Sequence, residues 1–115
     1  MSGYTIVQDH LQQQPIPEDG ILTRQLFEDE TIRVVLFTFS KGQRLSEHTA
    51  STTALLHLLS GEATMTLGTD TIEARPGTWV RMDAGLAHSV VTKSPVVMLL
   101  VLLKGLGKNK AVKER

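Results

Sequence analysis

The chain has 115 residues, with 12 Lys and Arg set against 12 Asp and Glu. That length fits one domain and is too short for two. A hydrophobic share of 41% with 21% charged residues excludes wholesale disorder. There is no cysteine, so disulfides, thiolate metal sites and cysteine nucleophiles are excluded, and any metal would take its ligands from His, Asp, Glu or water.

Formal neutrality hides an asymmetry. Up to Leu103 the chain has seven basic and eleven acidic residues, while Lys104, Lys108, Lys110, Lys113 and Arg115 beyond it face only Glu114. Residues 104–115 read as a solvated basic tail. Nucleic-acid binding through the tail is not expected, because it has no aromatic to stack on bases and the acidic body repels phosphate.

The start, MSGYTIVQDH, lacks a basic residue followed by an apolar run of about 7 to 15 residues, so no secretory signal is expected. The longest apolar stretch, VVMLLVLL at 96–103, falls well short of the roughly 20 residues of a membrane-spanning helix. These readings, with the lack of cysteine, point to a cytoplasmic protein without a membrane partner.

In chain order, residues 1–30 form an arm and a first strand of the same domain. Gln12 to Gln14, Pro15 and Pro17 are irregular, Pro17-Glu-Asp-Gly20 is a turn, and a short strand follows over 21–27. His10 falls in the irregular stretch and reads as a solvated residue. From Thr31 to Leu103 the chain is a string of short apolar runs. Strands are predicted at 32–39, 54–59, 63–67, 71–74, 79–82, 88–91 and 96–103, with breakers at Lys41-Gly42, Ser60-Gly61, Gly68 to Asp70, Pro76-Gly77, Asp83 to Gly85 and Ser94-Pro95. No amphipathic helix is expected. Ala63, Met65 and Leu67 alternate with Thr64 and Thr66, the pattern of a half-buried strand, whereas the last run does not alternate and should be covered on both faces.

Two glycine-punctuated segments carry histidine. The first reads Gly42, His48, Ala50, Ala54, Gly61, and the second Gly77, Asp83, Gly85, His88, Thr92. In spacing the pair resembles the two motifs of the cupin superfamily. The resemblance runs from about residue 31 to 103 and implies an all-β, single-domain fold, the double-stranded β-helix or jelly-roll barrel of RmlC-like cupins. In that family two histidines and a glutamate of the first motif, with the histidine of the second, hold a divalent metal inside the barrel. Carried over by position, His48 and His88 remain, while Ala50 and Ala54 have no donor atom. Two protein ligands are fewer than the three that a catalytic metal site generally has, so no tightly held metal is expected.

Other side chains are weighed against that gap. His48, Ala50, Thr52, Ala54, Leu56 and Leu58 share one parity, so a regular strand lines the barrel with them and turns Glu47 and His57 outward. A bulge near residues 51–53 would instead bring His57 inward. Asp83 replaces the motif's proline and reads as a turn residue, the alternative being a carboxylate at the barrel mouth. If iron, manganese, zinc or nickel bound, it would do so weakly through His48 and His88, with Asp83 or His57 as a third ligand. The bulky residues able to close the space beside the two alanines are Met65, Met82 and Trp79. Otherwise a pocket remains for a small, mostly apolar ligand, lined by His48, Ala50, Ala54, Leu56, Met82 and His88.

The leading expectation is a small-molecule-binding or regulatory cupin with a degenerate metal site. The alternatives are a metal-dependent enzyme of dioxygenase or isomerase type and a structural interaction module. Small cupins are commonly homodimers, which the resemblance implies here as well.

Overall fold

A computed structural model describes residues 3–9 and 14–104, Glu47 and His48 by their backbone alone. His10 and residues 105–115 of the basic tail lie outside the described residues. The strands are β1 (Ile21–Glu28), β2 (Ile32–Phe39), β3 (Arg44–His48), β4 (Thr53–Ser60), β5 (Ala63–Leu67), β6 (Asp70–Ala74), β7 (Trp79–Met82), β8 (His88–Thr92) and β9 (Val96–Leu103). There is no helix among the described residues, hence none long and apolar enough to cross a membrane.

The strands form two sheets, one ordered β1-β2-β9-β4-β7 and the other β3-β8-β5-β6, with every pairing antiparallel. Successive side chains in a strand point to opposite faces, and paired residues share a face. Ala54, Leu56 and Leu58 of β4 pair with Leu102, Leu100 and Met98 of β9 and face the interior. Met65 and Val90 meet them from the other sheet, and all pack into one core with Phe39, Val96 and Met98. Two sheets closed face to face over a shared apolar interior are a jelly-roll barrel.

One end of the barrel is sealed by a polar clasp. The buried Thr92 hydroxyl donates to the Ser40 carbonyl (2.8 Å) and accepts from the Gln43 N–H (2.8 Å), joining the β2–β3 turn to the end of β8. The β4–β5 turn lies against the β8–β9 turn at the same end. There Gly61 has φ of +88°, and a Cβ would sit 2.0 Å from the Pro95 carbonyl oxygen, so only glycine fits. At the other end, the mouth, the β3–β4 and β7–β8 loops are joined by Gly85 N–H donating to Ala50 O (2.8 Å).

Three expectations are corrected. β3 is a strand not foreseen, because Arg44, Ser46, Glu47 and His48 leave it a single apolar residue, Leu45. The chain does not run regularly from His48 to Leu58, since β3 ends at His48 and β4 begins at Thr53, yet Ala54, Leu56 and Leu58 keep the inward parity. Trp79 is not core. It is 57% exposed, because the inward positions of β7 are Val80 and Met82, paired with Leu56 and Ala54.

The outer face of the five-stranded sheet is covered in part. Residues 14 and 15 of the arm lie along β2, with Gln14 Nε2 donating to Leu36 O (3.3 Å) and Thr38 Oγ1 donating to Pro15 O (3.0 Å). Leu36, Thr38 and Val97 are buried on this face, whereas Leu99, Val101 and Leu103 of β9 are only half-buried. The final run is therefore buried on both faces only over Val96 to Met98, and half-buried on both over Leu99 to Leu103, short of the full cover expected.

Candidate functional site

The mouth holds the second motif's histidine. His88 begins β8, pairs with Leu67 of β5 on one side and with His48 of β3 on the other, and shares the inward parity of Val90 and Thr92. It is buried, and its Nδ1 lies 3.0 Å from the Leu86 carbonyl oxygen. A carbonyl only accepts, so Nδ1 carries the proton and Nε2 holds the lone pair in the neutral ring. The loop from Asp83 to Ala87 fixes that carbonyl through Leu86 N–H to Asp83 O (3.2 Å), Gly85 N–H to Ala50 O (2.8 Å) and Gly68 N–H to Ala87 O (2.8 Å). His88 is thus an oriented imidazole at the rim of an apolar interior.

The remaining predicted positions separate into floor, rim and exterior. Ala54, Leu56 and Met82 are at most 2% exposed and form the floor, Ala54 pairing directly with Met82. Met65 and Met82 belong to the same core cluster as Ala54, and Met82 is its direct strand partner. Ala50 is half-buried in the β3–β4 loop, at the rim. His48 stands opposite His88 across a bulged β3–β8 pairing, so the two motif histidines are register partners.

Asp83 and His57 are placed elsewhere. The Asp83 carboxylate accepts from Arg81 Nη1 at 2.6 Å, and its side chain is 59% exposed. His57 pairs with Trp79 and Leu99 on the outer face of the sheet. The residues held below the usual carboxylate range are also exterior. Asp29 is held down by the N–H of Ile32 and then by the N–H and hydroxyl of Thr31, Glu28 by the Lys104 ammonium, and Glu73 by Lys93 and the Thr64 hydroxyl.

This donor set does not fit the divalent metal that the cupin motifs imply. The glutamate position is Ala54, sealed against Met82, and Ala50 adds only a methyl group. Among the described residues no three His, Asp or Glu side chains converge. His88 adds one hydrogen-bonding ring to an otherwise apolar end of the barrel interior.

An all-β barrel of two antiparallel sheets, with the two motif histidines as register partners at one end, defines a jelly-roll barrel of the cupin type. A family model described as "Cupin domain" matches residues 35–102, more than half of the chain, and the chain belongs to that family. A conserved protein of unknown function from Streptococcus pyogenes is 30% identical with a TM-score of 0.77, over 88% of this chain and 89% of its own. A cupin superfamily protein from Desulfitobacterium hafniense is 26% identical with a TM-score of 0.72, over 76% of this chain and 81% of its own. A double-stranded β-helix protein from Klebsiella pneumoniae is 16% identical with a TM-score of 0.78, over 90% and 94% of the two chains, and shows the fold alone. No curated protein matches the chain.

Proposed function

We propose that this cupin is a cytoplasmic, homodimeric protein that binds or senses a small organic molecule at the barrel mouth without a resident metal. The observation that carries this reading is the pairing of Ala54 with Met82 at the same end of the barrel as His88. Where the family's glutamate would project a carboxylate, the floor here is methyl and thioether. A ligand suited to it has an apolar body and one polar group. The polar group would meet the His88 imidazole, a hydroxyl favouring the neutral ring and a carboxylate the protonated one.

The test is a thermal-shift and NMR screen of small phenols, aliphatic alcohols and carboxylic acids, run on wild type and on His88→Ala. Binders are expected to shift resonances of Ala50, Leu86 and Ala87 in wild type and to lose affinity in the variant. Protein purified without chelator is assayed for metal in parallel. Stoichiometric metal that disappears from a His48→Ala, His88→Ala double variant would overturn the reading in favour of a metal-dependent enzyme. If no binder emerges, the methionine-filled floor favours an interaction module.

A further inference from the structure

The outer face of the five-stranded sheet is more apolar than a solvent-facing sheet. One row across it reads Arg24, Leu36, Leu99, His57, Trp79, and the next reads Phe27, Val34, Val101, Leu55, Arg81. Only the two edge strands contribute an arginine to these rows. An antiparallel sheet facing water alternates apolar and polar residues, and this face does not. Trp79, the chain's one tryptophan, stands on it at 57% exposure.

The same face carries a groove of about 830 Å³ between arm residues Gly3 to Val7 and the sheet. Tyr4 and Val7 form one wall, Leu26 and Phe27 the other, and Val34 and Leu99 the floor. A bulge in β1 builds the second wall. The register shifts between Gln25 and Phe27, so the consecutive residues Leu26 and Phe27 both reach the groove.

We infer that this face docks a second copy of the chain, with Trp79 of each protomer seated in the groove of the other, Tyr4 and Phe27 flanking its indole. The inference rests on the homodimer proposed above and names its contact. Size favours a second copy over a small molecule. Four eight-residue strands and one of four residues, at about 4.8 Å between strands and about 3.3 Å per residue, give roughly 570 Å² of flat area. Side-chain relief and the arm bring this near the ~800 Å² per partner of a stable interface.

Symmetry places the tryptophan. β9 is the middle strand of the sheet, so a two-fold axis along it lays the partner's β7 over β1 and the groove. Aligned sheets cross at about 30°, which slides an edge strand about 5 Å along its partner, close to one row. One sense of that slide carries the indole from Arg24 to Phe27. The same movement carries the Arg81–Asp83 pair toward the turn of Glu28, Asp29 and Glu30.

Because Trp79 is the sole tryptophan, its fluorescence reports the contact directly. Sedimentation gives the oligomeric state, while emission and acrylamide quenching are followed on dilution of wild type and Val34→Glu. Trp79→Ser is studied by sedimentation alone, and circular dichroism checks the fold of both variants. The expected result is a dimer whose emission is blue-shifted and quench-protected and turns solvent-like as it dissociates. Both substitutions should weaken the dimer roughly 30-fold or more, the scale of a tryptophan anchor. A dimer with solvent-like Trp79 emission overturns the seat but leaves the homodimer standing. A monomer at every concentration overturns both. Protected emission with a folded Val34→Glu dimer of unchanged affinity overturns the groove as the seat. If Val34→Glu does not fold, the wild-type emission and the Trp79→Ser dimer decide.

Discussion

Replacing Gly61 by alanine tests how the sealed end of the barrel is held, and Gly77→Ala is its control. Both glycines have left-handed φ, +88° and +97°, so both substitutions carry the same conformational cost of about 1 to 2 kcal/mol. They differ in space. Around Gly77 an added Cβ meets nothing within 4 Å, whereas at Gly61 it would lie 2.0 Å from Pro95 O and 2.8 Å from Val96 Cγ2. The obstacle is backbone, so the β8–β9 turn has to move. That turn is tied by Lys93 N–H to Glu62 O (2.8 Å) and Glu62 N–H to Ser94 Oγ (2.9 Å). Losing these two bonds, at about 1 kcal/mol each, puts Gly61→Ala at roughly 3 to 4 kcal/mol. Urea unfolding measures both variants, with equal slopes required for the comparison. Losses equal to within about 0.5 kcal/mol would refute the close-packed turn.

Thr92→Val should cost about 2 kcal/mol, because it leaves the Gln43 N–H and the Ser40 carbonyl without their hydroxyl partner, and Thr92→Ser should restore most of it. Denaturant titration of the pair checks this, and equal loss in both variants would point to the missing methyl rather than the clasp. Acid should also destabilise the fold. Asp29, Glu28 and Glu73 have folded pKa values below their ordinary 3.8, 4.5 and 4.5, so their stabilisation is present above those values and is lost as pH falls through the folded ones. The thermal midpoint should therefore be flat near neutrality and fall below about pH 4.5. Asp29→Asn should lower the neutral plateau and flatten the acid limb, and an unchanged acid limb would count against the turn.

Much of the fold was legible because the strands that build the core are apolar runs bounded by turn residues. β2, β5, β7 and β9 fall where the pattern puts them, β1, β6 and β8 differ by a residue at one end, and β4 differs by a residue at each end. β3 was not legible, since four of its five residues are polar and its place comes from pairing with β8. At the site, the motif spacing singled out His48 and His88, but their place as register partners comes from the β3–β8 pairing. Trp79 shows the gap. Size suggested core, whereas parity with Arg81 was the available signal that it faces out. The arm groove had no signal, because a bulge in β1 creates it.

The position of β9 also bears on how the protein is made. The last strand among the described residues is the middle strand of the larger sheet, hydrogen-bonded to both β2 and β4. A nascent chain emerging from the ribosome as far as Ser94 has every other strand, yet the facing edges of β2 and β4 have nothing to pair with. Barrel closure must wait until Leu103 is clear of the exit tunnel. Until then two apolar edges stay open to wrong partners, so synthesis rate and chaperone supply should govern yield more than the stability of the finished barrel.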